Sequence, residues 1–160
     1  MPHTTDKTFG QYDPSLAYDC RTEAYLVIVR DGLIAALPHK GEYRLPGGVV
    51  RDEETHEECL LRACLERVSY DVRVDELITS ADAWDTSGLH RMAYFYSGEW
   101  LDCYAECDSE DARLCWISVE ELTEPMQHYA VLSHMNRKTS AAALSFIDGR
   151  HHILDGPLSR

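Results

Sequence analysis

The segment from Leu45 to Val72 contains the residues whose types and spacing are best suited to chemistry. It opens with a Pro-Gly-Gly turn, where Gly47 and Gly48 allow backbone angles that other residues avoid. Charged side chains follow at intervals of four residues, so they form one stripe of a helix. The residues of this stripe are Glu58, Arg62 and Glu66. A glycine loop that leads into a helix with stacked charges indicates a site for a metal ion and a diphosphate.

A helix is predicted from about Thr55 to Val68. Thr55 lies three residues before Glu58, which is the spacing of a helix capping box. Apolar residues then recur at helical spacing as far as Val68. This helix must position the charged stripe beside the glycine loop.

The same segment resembles the Nudix box of the Nudix hydrolase superfamily. That motif reads Gly-x5-Glu-x7-Arg-Glu-U-x-Glu-Glu-x-Gly-U, where U is an aliphatic residue. Its first glycine, first glutamate, arginine and next-to-last glutamate match, without a gap, Gly48, Glu54, Arg62 and Glu66. The resemblance implies an α/β (α+β) fold, a Nudix-type α/β/α sandwich with a mixed β-sheet.

Several positions depart from the motif. Ala63 and Arg67 stand where the family has glutamates, and Ser69 stands at the glycine position. In the family those glutamates hold divalent metal and help to activate water. Arg67 either repels a cation or binds a substrate phosphate directly.

The resemblance also implies roles for individual residues. Glu66 is the retained metal ligand and a catalytic candidate, with Mg2+ or Mn2+ bound weakly or only together with substrate. Glu110 is a candidate general base, with an acidic surface loop as the alternative. The candidates for substrate contact are Arg67, Gly47 and Gly48. Glu54 and Arg62 are expected to brace the loop against the helix.

Composition restricts the partners that the chain can have. It has 160 residues and a net charge of -13, which argues against binding of duplex nucleic acid but leaves a small nucleotide-type substrate open. No apolar run approaches the ~20 residues of a membrane span. No signal peptide is recognisable, so we expect a cytoplasmic protein without a membrane partner. Self-association into a homodimer stays open.

The six cysteines are expected to be reduced thiols. Cys103 and Cys107 are four residues apart in a predicted hairpin or loop, a spacing that hints at a metal site. No CxxC pair follows them, so the zinc interpretation is the less favoured of the two.

The remaining pattern predicts one domain over residues 1–160, with an N-terminal arm or edge strand over 1–20 and an irregular tail over 148–160. Strands are predicted on both sides of an Asp31-Gly32 hairpin turn and again around Arg91 to Tyr96. Ser97 to Trp100 is predicted to begin a connection. A helix is predicted from Pro125 to Lys138, followed by a second helical piece. The apolar stripe predicted for the first of these helices is Met126, Tyr129, Leu132 and Met135.

Two functions follow from these features. The first is hydrolysis of a nucleoside diphosphate linked to another group, by attack of water at phosphorus. The alternative is a non-catalytic member of the fold that binds a nucleotide or a protein. Ala63 and Arg67 remove carboxylates from the box helix and so favour weak or lost activity.

Overall fold

β-strands and two α-helices account for most of the chain in the computed structural model. The structure describes residues 5–68, 70–103 and 114–147, and only the backbone for residues 67, 68, 70, 102, 103 and 138–147. The strands are β1 (Lys7–Phe9), β2 (Asp19–Val27), β3 (Val29–Arg30), β4 (Leu33–His39), β5 (Glu42–Arg44), β6 (Gly47–Val49), β7 (Tyr70–Trp84), β8 (Leu89–Cys103) and β9 (Cys115–Ile117). The helices are α1 (His56–Val68), a 3-10 helix (Val119–Glu121) and α2 (Pro125–Ile147).

The larger sheet is mixed and has five strands in the order β1, β7, β8, β2, β6. β2 runs parallel to β8, and β1 runs parallel to β7 at the edge of the sheet. β7 and β8 form a long antiparallel hairpin, and β6 pairs antiparallel with β2. Because β6 begins at Gly47, this pairing fixes the glycine loop to the centre of the fold.

The second sheet contains β3, β4 and β5, with β9 paired to β4. The turn between β3 and β4 is Asp31-Gly32, whose φ angles are 53° and 78°. Two consecutive positive φ angles are those of a type I′ hairpin turn, which the Asp-Gly pair predicts.

The larger sheet lies between the two α-helices because both faces of β2 are apolar. The odd-numbered side chains Tyr25 and Val27 belong to a core cluster that includes residues of α2. The even-numbered side chains Ala24 and Leu26 belong to a second cluster with residues of α1. Alternating side chains of one strand therefore contact different helices, which produces the α/β/α arrangement.

Strand β8 is longer than the sequence predicts. It continues through Ser97 to Trp100, which was predicted as a connection, and ends at Cys103. Gly98 lies inside this strand and is buried. A Cβ atom at this position would collide with the carbonyl oxygen of Arg73 and with the side chain of Leu26. This glycine therefore permits close packing of the hairpin and does not mark a turn.

Helix α2 is also longer than predicted, because it runs unbroken over Pro125–Ile147 where two helical pieces were expected. No glycine or proline interrupts the sequence between these residues. Its buried face agrees with the predicted stripe at Met126, Tyr129 and Met135, which lie in the core or pack against it. Leu132 is instead 40% exposed, and Ala130 and Val131 are wholly buried. No helix in the described ranges is long and apolar enough to cross a membrane.

Candidate active site

The glycine loop requires glycine at one of its two positions. Gly47 has a φ of 141°, and a Cβ atom there would overlap the backbone of Ala24 and Tyr25. At Gly48 a Cβ atom would meet nothing within 4 Å. Gly47 therefore allows the loop to pack closely against β2, whereas Gly48 leaves open space next to the backbone.

Helix α2, on the other side of the larger sheet, also holds the glycine loop. The amide nitrogen of Leu45 donates to Oε1 of Gln127 over 2.8 Å, and both residues are buried. The carbonyl oxygen of Pro46 accepts from the amide nitrogen of Leu26 over 2.9 Å. Gln127 could not be selected from the sequence, because its partner lies 82 residues away along the chain.

The start of α1 is closed by the predicted capping box. The hydroxyl of Thr55 accepts from the amide nitrogen of Glu58 over 3.1 Å. In return, the carboxylate of Glu58 accepts from the amide nitrogen of Thr55 over 2.8 Å. These two bonds satisfy backbone donors that the first helical turn leaves unpaired. The carboxylate of Glu58 therefore serves as a cap at the start of the helix.

Glu54 and Arg62 join the loop to the helix. Nε and Nη2 of Arg62 donate to the two carboxylate oxygens of Glu54 over 2.6 and 2.9 Å. Nη2 also donates to the carbonyl oxygen of Val49 over 3.2 Å. The hydrogen bonds from Arg62 lower the pKa of Glu54 to about 2. Both oxygens of this carboxylate are already occupied, which leaves the Glu54 side chain in a supporting position.

Glu66 lies one helical turn after Arg62 on the exposed surface, where its side chain is 57% accessible. Its Oε1 is 3.7 Å from Nη1 of Arg62 and 3.9 Å from Nη2 of Arg51. The retained carboxylate therefore stands between two guanidinium groups. Such an arrangement can bind phosphate oxygens as well as contribute one ligand to a cation.

The residues that the structure describes do not form a metal centre by themselves. Among them, no three His, Cys, Asp or Glu side chains come close enough together to hold an ion. Ala63, which stands where the family places a glutamate, is 4% exposed and packs in the interior. The donor set described at α1 fits a cation such as Mg2+, which takes one or two protein carboxylates and completes its shell with substrate phosphates and water.

Four of the predicted positions cannot be placed in this site. Arg67 lies on α1 beside Glu66, but its side chain is outside the described residues. Glu110 lies within 104–113, which is also outside them, as are Cys107 and the side chain of Cys103. Their roles stay predictions.

A buried charge network on the α2 face of the larger sheet was not predicted. Glu23 is 1% exposed and accepts two hydrogen bonds of 2.9 Å from Arg91. It also accepts from Arg21 and from the hydroxyl of Tyr25, each over 2.7 Å. Arg91 further donates to Glu124, directly before α2. Burial pushes the pKa of Glu23 up, but the hydrogen bonds, above all those from Arg91, outweigh it and keep the pKa below its ordinary value.

The sequence of this chain matches the model of a known protein family. A sequence model of the NUDIX domain matches residues 16–137. The chain belongs to the Nudix family. Its members include hydrolases of nucleotide derivatives, and such enzymes generally use divalent metal ions. No curated protein sequence matches the chain.

Solved structures of other proteins have a similar fold. The ORF135 protein of E. coli is 20% identical, with a TM-score of 0.63, and the match covers 81% of this chain and 97% of that one. A UDP-X diphosphatase is 20% identical, with a TM-score of 0.62 and coverage of 78% and 68%. A MutT NUDIX hydrolase from Burkholderia pseudomallei is 26% identical, with a TM-score of 0.57 and coverage of 72% and 95%. This Nudix protein therefore shares the fold of these proteins.

Proposed function

We propose that this Nudix protein hydrolyses a nucleoside diphosphate linked to another group, weakly and only when a divalent cation arrives with the substrate. The observation that carries the proposal is the joined loop and helix. Arg62 binds Glu54 and the carbonyl oxygen of Val49, the residue after Gly48, and it lies 3.7 Å from the exposed carboxylate of Glu66. The backbone at Gly48 has open space beside it. A similar structure is that of a UDP-X diphosphatase, which supports this substrate class.

The chain's own groups would act mainly on the diphosphate. The space above Gly48 lets phosphate oxygens approach the backbone, and Gly47 keeps that backbone in place. The guanidinium group of Arg51, beside Glu66, would neutralise phosphate charge. Arg67 stays a candidate for the same role. Mg2+ or Mn2+ would be held chiefly by the substrate phosphates, with Glu66 as its protein carboxylate. Glu110 stays a candidate for the base that activates water.

The partner under this proposal is a small molecule and not a nucleic acid duplex. The net charge of -13 repels a long polyanion, whereas a single nucleotide carries its own counter-ion into the site. Arg51 and Arg62 supply local positive charge at this site.

A screen of phosphate release over nucleotide substrates, with Mg2+ and with Mn2+, tests the proposal. We expect slow turnover of a diphosphate-linked nucleotide that disappears on chelation of the metal and falls at least about tenfold in Glu66→Gln. The matched control is Glu57→Gln on the same helix, whose side chain is exposed in the first turn. Turnover that is unchanged in Glu66→Gln would contradict the assigned role of Glu66.

The alternative is a Nudix-fold protein that binds a nucleotide without turning it over. The buried position of Ala63 and the two guanidinium groups around Glu66 favour phosphate binding over metal binding. Nucleotide binding in calorimetry, combined with no phosphate release from any substrate, would identify this case.

A further inference from the structure

A cysteine, a histidine and an aspartate lie in line on the larger sheet, outside the Nudix box. Cys20 on β2 pairs across the sheet with His90 on β8, and its Sγ is 3.9 Å from Nδ1 of that histidine. The other ring nitrogen, Nε2, is 2.7 Å from Oδ2 of Asp82 on β7. This is the order of a nucleophile, a base and a group that orients the base.

The aspartate is built to hold the imidazole in one tautomer. Asp82 is largely buried, and its Oδ1 accepts from the hydroxyls of Thr5 and Thr8 over 2.6 and 2.7 Å. Burial pushes the pKa of Asp82 up, but the hydrogen bonds from Thr5, His90 and Thr8 outweigh it and keep the pKa below its ordinary value. A carboxylate only accepts, so in the neutral ring of His90 the proton lies on Nε2 and Nδ1 presents a lone pair to Cys20.

Aromatic packing fixes the plane of the histidine ring. Trp84 stacks on His90 with the ring centroids 3.6 Å apart and the planes 2° from parallel. Tyr12 and Tyr18 also pack edge to face against Trp84, with ring centroids 5.0 and 4.8 Å from that of the indole. The electron-rich indole face also stabilises the positive charge that appears when the imidazole takes a proton.

The position of Cys20 differs from that of the other described thiols. Its side chain is exposed, whereas Cys59 and Cys64 are buried in α1 and Cys115 lies in the second sheet. Burial raises the pKa of Cys64 to about 12, which keeps this thiol protonated and unreactive. No described cysteine is disulfide-bonded to Cys20.

We propose that Cys20 is a modification site that exchanges with low-molecular-weight disulfides, with His90 as its base and Asp82 as the positioning residue. The thiol proton passes from Sγ to Nδ1 of His90, and the thiolate attacks one sulfur of the small disulfide. The S–S bond of the small disulfide breaks while a new one forms at Cys20. The released thiolate takes the proton from His90, so one sulfur is oxidised and one is reduced without a further reagent.

Glutathione disulfide is the probe that tests this proposal. The full chain, first reduced, is incubated with the probe at neutral pH, quenched with acid, and mapped by mass spectrometry for the rate at each cysteine. We expect Cys20 to react at least about tenfold faster in the folded protein than in the chaotrope-unfolded chain, where its neighbours are lost. An equal rate in the two states would overturn the proposal, and this comparison needs no variant that folds.

Two substitutions separate the roles of the neighbours. His90→Gln removes the base, and we expect the folded-state rate at Cys20 to fall about tenfold or more. Asp82→Asn presents an amide donor to Nε2, which moves the ring proton to Nδ1, and it is expected to slow the exchange similarly. The matched control is His128→Gln on α2, where Nδ1 contacts the carbonyl oxygens of Val119 and Leu122 and the rate at Cys20 should not change. An unchanged rate in His90→Gln rules out the base, and an unchanged rate in Asp82→Asn rules out the positioning role.

Discussion

Arg62 holds Glu54 with two hydrogen bonds of 2.6 and 2.9 Å across eight residues of chain. The same guanidinium reaches the carbonyl oxygen of Val49, at the end of the strand that the glycine loop enters. One side chain of α1 therefore fixes two separate points of the loop. A lysine could not reproduce this geometry, because its ammonium group lacks the planar fork of donors.

The first prediction concerns the acid stability of this pair. The pKa of Glu54 is lowered from an ordinary value of 4.5 to about 2, so the folded state prefers the charged form. The stabilisation is complete above pH 4.5 and is lost as the pH falls towards about 2. Urea unfolding measured from neutral to acid pH should show Glu54→Gln less stable than the wild type above this window and equal to it below. In an Arg62→Met background, Glu54→Gln should not change the pH dependence of stability. A difference that persists there would contradict the assignment of the lowered pKa to Arg62.

A second prediction separates the two glycines of the loop. Gly47→Ala places a Cβ atom against the backbone of β2 at a φ of 141°, and it is expected to lower the free energy of unfolding by about 2 kcal/mol or more. Gly48→Ala meets open space, so its stability should stay within about 0.5 kcal/mol of the wild type. Thermal unfolding followed by circular dichroism measures both. Under the proposed function Gly48→Ala should still weaken nucleotide binding, since the methyl group occupies the approach to the backbone.

The third prediction concerns the buried network around Glu23. Glu23→Gln leaves Arg91 with a weaker partner in a buried position, and we expect a loss of about 2 to 4 kcal/mol in the free energy of unfolding. Glu124→Gln changes the more exposed partner of the same arginine and should cost under about 1 kcal/mol. Urea unfolding measures both losses. If the two variants lose equal free energy of unfolding, the burial of Glu23 does not determine how much this residue stabilises the fold.

The fourth prediction restores the missing carboxylates. Ala63→Glu together with Arg67→Glu adds two acids to the helix that carries Glu66, and metal affinity in calorimetry should rise from little measurable heat with Mg2+. Any Mg2+-dependent hydrolysis should rise by about tenfold or more. Ala63 is buried, so Ala63→Glu alone should reduce the free energy of unfolding by about 1 to 3 kcal/mol. If the wild type already turns over substrate rapidly and the double variant does not exceed it, the departures from the motif are functional substitutions.

Local patterns in the sequence predict much of the fold and the frame of the site. The capping box of Thr55 and Glu58 and the turn at Asp31-Gly32 depend on residues within a few positions of one another, and both are confirmed. The motif spacing from Gly48 likewise predicted α1 correctly. Short-range spacing is sufficient in these cases because the interacting groups are neighbours along the chain.

Contacts between distant segments could not be predicted in this way. Glu23 meets Arg91 across 68 residues. The register between two strands determines which side chains meet, and the residue pattern of either strand alone does not predict that register. The prediction of a connection from Ser97 to Trp100 was wrong for the same reason, since the close approach of Leu26 that requires Gly98 comes from another strand.

The bond from the Leu45 amide to Gln127 makes the glycine loop depend on a helix on the other side of the sheet. The loop therefore cannot open as an independent surface segment. Its backbone can exchange amide hydrogen for deuterium at Leu45 only when α2 also separates from the sheet, which is a subglobal opening. The Leu45 amide is thus expected to exchange as slowly as the core of α2, and a ligand that orders the loop would slow hydrogen exchange along that distant helix.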